Sequence, residues 1–204
     1  MIATFPSKHY DIDQYPAIKK HLLSYGKERL EQTGKIHIIN DIEINSRKKT
    51  NNKWFETQDS TNYSEDFSKQ KIAWGNLCLH AQYSFVEETY FVNNPANIIV
   101  PGDKYLLALL NSKLADFYIR TLGVTRNGGY FEYKPMFVEK LPAKFPCKRQ
   151  KELIIGLCNT LIETQADASC TIEIENEIDL AFFNIYGLDQ HEKYVLFKRE
   201  NNSR

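Results

Sequence analysis

The chain has 204 residues, of which 42% are hydrophobic, 25% charged and 13% aromatic. These fractions are typical of a globular protein and exclude a chain that is disordered throughout. No apolar run approaches the roughly 18 residues of a membrane-spanning helix, and residues 1–10 lack the apolar segment of a signal peptide.

The formal net charge of zero hides an uneven distribution along the chain. Residues 1–151 have 22 Lys and Arg against 16 Asp and Glu, an excess of six positive charges. Residues 152–204 have 4 against 10, an excess of six negative charges. The basic body favours a polyanionic ligand, whereas the acidic segment is equally well explained as a solvated helical face.

The first predicted elements are a helix, a strand and a basic loop. The spacing of apolar residues predicts a helix from Pro16 to about Gly34. Residues 35–44 partly alternate between apolar and polar and predict one strand. The polar and basic residues 46–53 predict a loop, and Trp54-Phe55 is expected to start the next strand.

A mostly antiparallel sheet is predicted for the middle of the chain, after a second polar loop at 57–68. We interpret its aromatic residues as core and cross-strand packing rather than as platforms for base stacking. These residues are Trp54, Phe55, Trp74, Tyr83, Phe85, Tyr90 and Phe91. The predicted strand segments are Lys71–Trp74, Leu77–Leu79, Phe85–Val92 and Ile98–Val100.

The clearest helix is predicted over Lys104–Leu122, with an apolar face broad enough to be buried. A glycine-rich turn at 125–130 follows and leads into a short strand. Helices are predicted at Gln150–Thr164 and about Ile174–Tyr186, before a short element at 189–197. This order predicts an α+β fold: an irregular, mostly antiparallel sheet with a long buried helix (about 104–122), flanked by an N-terminal helix and C-terminal helices.

No catalytic motif is found in the sequence. The string nearest to the Asn/Asp-Pro-Pro-Tyr loop of adenine methyltransferases is 94–97, which lacks the second proline and the aromatic. Glycine-rich phosphate loops and a Gly-x-Ser-x-Gly elbow are absent. Cys78 and His80 form a Cys-x-His pair, which has too few ligands for structural zinc. We interpret all four cysteines (Cys78, Cys147, Cys158 and Cys170) as free, buried thiols in a reducing cytoplasm.

A small metal-dependent nuclease is one alternative function. Asp116, Glu132 and Lys134 match a loose Asp…Glu-x-Lys pattern, in which carboxylates hold the cation beside a lysine. The three residue types also occur together by chance. Solvent-facing charges on a helix and a hairpin explain them better by base rates.

Two basic loops contain the residue types that DNA binding uses. Phosphate contacts come from Lys, Arg and accessible backbone N–H groups, whereas Arg reads guanine and Asn or Gln reads adenine in the major groove. Solvated loops with hairpin glycines account for the same composition. The candidate DNA-binding residues are Arg47, Lys48, Lys49, Asn51, Lys53, Lys69, Arg126, Asn127, Gly128, Tyr130 and Lys134.

Several strings, taken together, resemble one family. The most specific are the leucine-rich Tyr105–Tyr118 and the segment Gly129–Pro142, which contains Lys-Pro-Met-Phe and Leu-Pro. Supporting strings are Tyr15–Leu22, Lys53–Glu56, Lys71–Trp74, Glu177–Asp179 and Tyr186–Leu188. Over roughly residues 15–190 the chain resembles the C-terminal target-recognition (specificity) domain of TaqI-like adenine-N6 DNA methyltransferases and of fused type II restriction–modification enzymes.

The resemblance implies a bacterial, cytoplasmic DNA-reading domain that is non-catalytic by itself. Its partners would be double-stranded DNA and a methyltransferase or nuclease catalytic domain or subunit, with no membrane. S-adenosylmethionine and Mg²⁺ are expected only in those catalytic domains.

On this interpretation the chain divides into an N-terminal arm and helix (1–34), a target-recognition core (35–148) and an acidic C-terminal helical segment (149–204). Loops 46–53 and 124–134 would approach one groove, with 57–70 as a third candidate. A third hypothesis is a protein-docking module that binds a methyltransferase subunit through its acidic helices.

Overall fold

A computed structural model describes residues 2–59, 63–163 and 168–201 of the chain. These residues form eight α-helices and three small antiparallel sheets, which confirms the predicted α+β fold. The chain divides into two compact units, Met1–Ser64 and Glu65–Arg204. The three-segment division made from the sequence stays a prediction.

The first unit contains two short helices and one β-hairpin. Helix α1 (Pro16–Leu23) begins at the predicted proline, and α2 spans Lys27–Leu30. The single helix predicted up to Gly34 is wrong, because Gly26 takes a left-handed φ of 88° between the two helices.

The single strand predicted for 35–44 is also wrong. It is a hairpin of β1 (Ile36–Ile39) and β2 (Ile42–Asn45), in which Ile39 lies opposite Ile42. Asn40 and Asp41 both have positive φ, 51° and 62°, as a two-residue type I′ turn requires. The alternating pattern continues through the turn and conceals it.

The strand predicted to start at Trp54-Phe55 does not form. The chain turns there instead, because the Glu56 carboxylate accepts a hydrogen bond from the Lys53 backbone N–H at 2.7 Å. The Glu56 N–H donates in return to the Lys53 carbonyl at 3.0 Å. Phe55 is buried as predicted, although in a turn.

The second unit contains a three-stranded sheet with β3 (Lys71–Gly75) at its centre. Strands β5 (Tyr83–Val86) and β6 (Ala96–Ile99) flank β3, both antiparallel to it. A smaller sheet pairs β4 (Leu77–Cys78) with β7 (Phe131–Glu132). Trp74 and Tyr83 are buried as expected.

The predicted strand Phe85–Val92 is mostly wrong, because the observed strand ends at Val86. The residues after it leave the sheet, so Tyr90 and Phe91 are exposed rather than packed across strands. The strand predicted for Ile98–Val100 is confirmed with different bounds, since it spans Ala96–Ile99.

The apolar helix predicted for 104–122 is divided in two. Helix α3 spans Lys104–Asn111 and α4 spans Lys113–Leu122. Ser112 separates them because its backbone is extended (ψ 151°) and its side chain caps α4 by accepting from the Ala115 N–H. The predicted burial is confirmed, and Leu109, Leu110 and Ile119 have almost no exposed surface.

The remaining helices complete the core of the second unit. They are α5 (Pro135–Val138), α6 (Lys148–Glu163), α7 (Ala168–Tyr186) and α8 (Gln190–Asn201). Helix α6 packs on α3, and α7 and α8 pack on α4. Asp179 of α7 holds the start of α4 by accepting from the Lys113 N–H at 2.8 Å and from its ammonium at 2.7 Å. The predicted C-terminal helices are therefore confirmed; Thr164, the predicted end of one, lies outside the described residues.

All four cysteines are free, as predicted. The predicted burial is confirmed for Cys78 and Cys158 but is wrong for Cys147, which is exposed, and for Cys170, which is partly exposed. Burial raises the pKa of both buried thiols. Across the described parts of the chain, no helix is both long and apolar enough to cross a bilayer.

Candidate nucleic-acid interface

The second basic loop (residues 124–134) rests on a polar network that joins α4 to β7. Asp116 of α4 accepts hydrogen bonds from the Ala81 N–H at 2.9 Å and from the Tyr133 hydroxyl. Arg120, one turn later, pairs with Asp116 at 2.9 Å and donates to the Tyr133 hydroxyl at 3.1 Å. Burial, followed by the charge of Asp116, raises the pKa of Tyr133 above its usual range.

This network changes the interpretation of Asp116. The sequence indicated an exposed helix charge, but the carboxylate is half-buried and fully engaged. Its contacts hold the Tyr133 side chain in place. The Tyr133 carbonyl in turn accepts a hydrogen bond from the Trp74 indole N–H at 2.6 Å. The loop therefore follows α4 and ends near Tyr133, which is held against both α4 and β3.

Glu132 also differs from its expected solvent-facing position. It is buried on β7, and its carboxylate pairs with Arg126 and with the Lys134 ammonium, the latter at 3.1 Å. The hydrogen bond from Arg126, and then that from Lys134, lowers the pKa of Glu132. The loop therefore has two cations tied to one internal carboxylate.

The two carboxylates of the nuclease alternative, Asp116 and Glu132, both have partners within the protein. The described residues contain no group of three or more His, Cys, Asp or Glu side chains placed to hold a metal ion. Asp116 is paired with Arg120, and Glu132 with Arg126 and Lys134. Both carboxylates therefore have structural partners within the protein.

The tip of the second basic loop, residues 126–130, is closed by a hydrogen bond from the Arg126 N–H to the Tyr130 carbonyl at 2.7 Å. Gly128 and Gly129 have φ values of 81° and 80°, which other residues rarely adopt. Within the continuous described stretch 63–163, the exposed side chains of Asn127 and Tyr130 make no hydrogen bond. The tip thus presents an amide and an aromatic ring to the solvent.

The first basic loop (residues 46–53) is folded around the Arg47 side chain. The guanidinium donates to the Leu30 carbonyl (2.8 Å from Nε), to the Glu56 carbonyl (3.0 Å) and to the Trp54 carbonyl. Burial lowers the pKa of Arg47 below its usual value. Arg47, a predicted DNA contact, is thus engaged inside the protein.

The other cations of this loop are exposed, although the Lys53 ammonium lies over the Phe55 ring, 5.6 Å from its centroid. Lys48, Lys49 and Lys53 are exposed, and they form no ion pair with any residue that the structure describes. Asn51 is exposed beside them. The structure therefore separates Arg47 from the lysines with which the sequence grouped it.

Lys69, the candidate from the third loop, is exposed but pairs with Asp66 at 2.7 Å. The hydrogen bond and charge of Asp66 raise the pKa of Lys69. Its positive charge is partly balanced locally, unlike those of Lys48 and Lys49.

Sequence reasoning missed the buried polar residues that hold the first basic loop. Gln32 donates to the carbonyls of Lys53 (3.0 Å) and Glu56 (2.9 Å), and accepts from the Thr50 hydroxyl at 2.6 Å. Gln32 and Glu56 are both buried. The Lys53-x-x-Glu56 spacing resembles the second half of a capping box and is the one local signal of this turn.

A comparison with protein families matches residues 11–143 to the TaqI-like C-terminal specificity domain. The match covers more than half of the chain and includes both basic loops with their supports. The chain belongs to this family. The resemblance predicted from the sequence is thereby confirmed. No curated protein matches the chain at a significant level.

A TaqI-like specificity domain has a DNA-recognition role in a methyltransferase, so DNA and a catalytic domain are the partners that family membership implies. The match ends at 143, before α6. The resemblance of 177–179 and 186–188 therefore lies outside it and stays a prediction. In the second unit, α6 and α7 nevertheless contribute Ile154, Ile178 and Phe182 to the core.

Proposed function

We propose that this domain recognises the target sequence of an adenine-specific DNA methyltransferase or of a type II restriction–modification enzyme, and that it has no catalytic site of its own. The observation that carries the proposal is the separation, in both basic loops, of supporting side chains that are engaged within the protein from exposed side chains that suit DNA. Arg47 and Glu132 are engaged internally, whereas Lys48, Lys49 and Asn127 face the solvent.

The two loops suit different parts of a duplex. The exposed lysines of the first basic loop have the chemistry of phosphate contacts, which determine affinity. The tip of the second basic loop has an amide that can pair with adenine and an aromatic ring for apolar contact with bases. We therefore assign phosphate binding to Lys48, Lys49 and Lys53, and base reading to Asn127 and Tyr130.

The catalytic steps belong to a partner domain in this proposal. An adenine in the recognised site would be flipped out of the duplex into that domain, where S-adenosylmethionine and, for a nuclease, Mg²⁺ would act. The acidic face of the C-terminal helices, which includes the exposed Glu173 and Glu177, would be directed away from DNA.

The test is binding to a randomised duplex pool at several salt concentrations. We expect log affinity to fall linearly with log salt and one short site to be enriched. Lys48→Ala combined with Lys49→Ala should reduce the magnitude of the salt slope by about 2. The control, Lys148→Ala with Lys151→Ala, removes the same charge from α6, outside the family match, and should leave the slope nearly unchanged.

Two results would overturn the proposal. The absence of binding even at low salt would exclude autonomous DNA recognition and favour a docking role. Cleavage of the duplex in Mg²⁺, abolished by Glu132→Ala, would instead establish the nuclease alternative.

A further inference from the structure

Glu132 places a negative charge inside a loop that is otherwise suited to a polyanion. Its side chain is 5% exposed, whereas those of Arg126 and Lys134 are 54% and 42% exposed. Oε1 accepts from Arg126, at 2.7 Å from Nε, and Oε2 accepts from Lys134 at 3.1 Å. Each carboxylate oxygen thus binds a different cation, and the buried carboxylate lies beneath the two exposed cations.

The two cations stand at opposite ends of the tip. Arg126 is the first residue of the tip, and Lys134 lies beyond its other end, after β7. The glycine pair 128–129 gives the tip little stiffness of its own. The backbone ties the start of the tip to β7 through a β-bridge between Thr125 and Phe131, and the Arg126–Glu132 ion pair adds a tie between side chains.

A carboxylate here is unfavourable for simple attraction to DNA. It offsets one of the two cations, and it would repel phosphates nearby. A neutral residue would serve a loop that only needs positive charge. A carboxylate suits a loop in which the positions of the cations matter more than their total charge, because a paired guanidinium has a fixed direction.

We infer that Glu132 is a positioning residue for sequence reading: it holds Arg126 and Lys134 in place as phosphate contacts and so determines where Asn127 and Tyr130 meet the base edges. This inference rests on the DNA-recognition function proposed above. Phosphate contacts set the register of a protein on the duplex, and base contacts use that register. Neutralising Glu132 should therefore weaken discrimination between sequences without weakening affinity for DNA in general.

The experiment compares the full chain with its Glu132→Gln variant, which keeps the shape of the side chain. Affinity is measured at several salt concentrations for the duplex selected from the randomised pool and for a scrambled duplex. We expect affinity for the scrambled duplex to stay the same or to rise a few fold, because two cations are released. The preference for the selected duplex should fall about tenfold or more.

Glu139→Gln is the matched control, because Glu139 is exposed in the same unit and its loss changes the net charge equally. It should raise scrambled binding similarly and leave the preference intact. If only the change in net charge mattered, the two variants would show the same preference for the selected duplex, and the inference would be wrong.

Arg126→Lys is the second variant. It tests the positioning of Arg126 if Glu132→Gln does not fold, as judged by circular dichroism. Arg126 is at the surface, and lysine keeps the charge but not the forked geometry. We expect a similar loss of preference with an unchanged salt slope. If the folded variants keep the wild-type preference, the inference is wrong while DNA recognition stands. If the wild-type chain itself prefers no sequence, the proposed function fails.

Discussion

Replacing Arg47 by lysine tests whether this residue folds the first basic loop or contacts DNA, because the substitution keeps the charge. Its guanidinium donates to three backbone carbonyls, those of Leu30, Trp54 and Glu56. An ammonium on a flexible stem has no planar fork, so it can satisfy about one of the three. Two carbonyls would then lose their partner.

The expected cost follows from those two carbonyls. A lost hydrogen bond from a charged donor costs about 1.5–3 kcal/mol when the acceptor is buried. Arg47 is half-buried, so water replaces part of the loss and we use about 1 kcal/mol for each carbonyl. The total of about 2 kcal/mol corresponds to a roughly 30-fold increase in the population of the opened loop.

Hydrogen exchange followed by mass spectrometry measures this opening directly. Three backbone hydrogen bonds join the loop to residues 31–34: the amides of Gly34, Arg47 and Thr50 donate to the carbonyls of Arg47, Glu31 and Gln32, respectively. These amides should exchange roughly 30-fold faster. Lys48→Ala is the control and should leave their exchange unchanged, since Lys48 is exposed and unpaired among the described residues. Unchanged exchange in Arg47→Lys together with weaker DNA binding would refute our reasoning and place the guanidinium on DNA.

Two further predictions concern the second unit. Phe182→Ala should lower the free energy of unfolding in urea by about 3–5 kcal/mol, because Phe182 is fully buried although it lies outside the family match. Leu180→Ala, on the exposed side of the same helix, should cost far less, and equal effects would argue against a shared core. Gly123→Ala should destabilise by about 1–3 kcal/mol, because the new Cβ would lie 2.8 Å from the Glu132 carbonyl oxygen. Gly156→Ala, with open space around it in α6, should instead stabilise by about 1 kcal/mol, and matching effects would contradict the packing argument.

The sequence correctly predicted those elements in which the spacing of apolar residues matches the burial seen in the structure. The leucine spacing between Lys104 and Leu122 correctly indicated a buried helical face, because burial follows the helical period. The break at Ser112 was missed, because a serine is compatible with both a helix interior and a cap. Likewise, the alternation of residues 35–44 did not reveal the turn at Asn40-Asp41, since both strands continue the same period.

The sequence by itself determined the α+β class, the family resemblance and the presence of two loops rich in basic and amide residues. Only the tertiary structure decided which of these side chains are available to a ligand. Arg47 and Lys48 are neighbours in sequence, yet one is bound to carbonyls as distant as Leu30 and the other is exposed. The physical reason is that the fold sets how many of a cation's donors are already engaged: the Arg47 guanidinium donates to three carbonyls, whereas no described residue pairs with Lys48. The partners of a cation come from residues that the fold, not the local pattern, brings together.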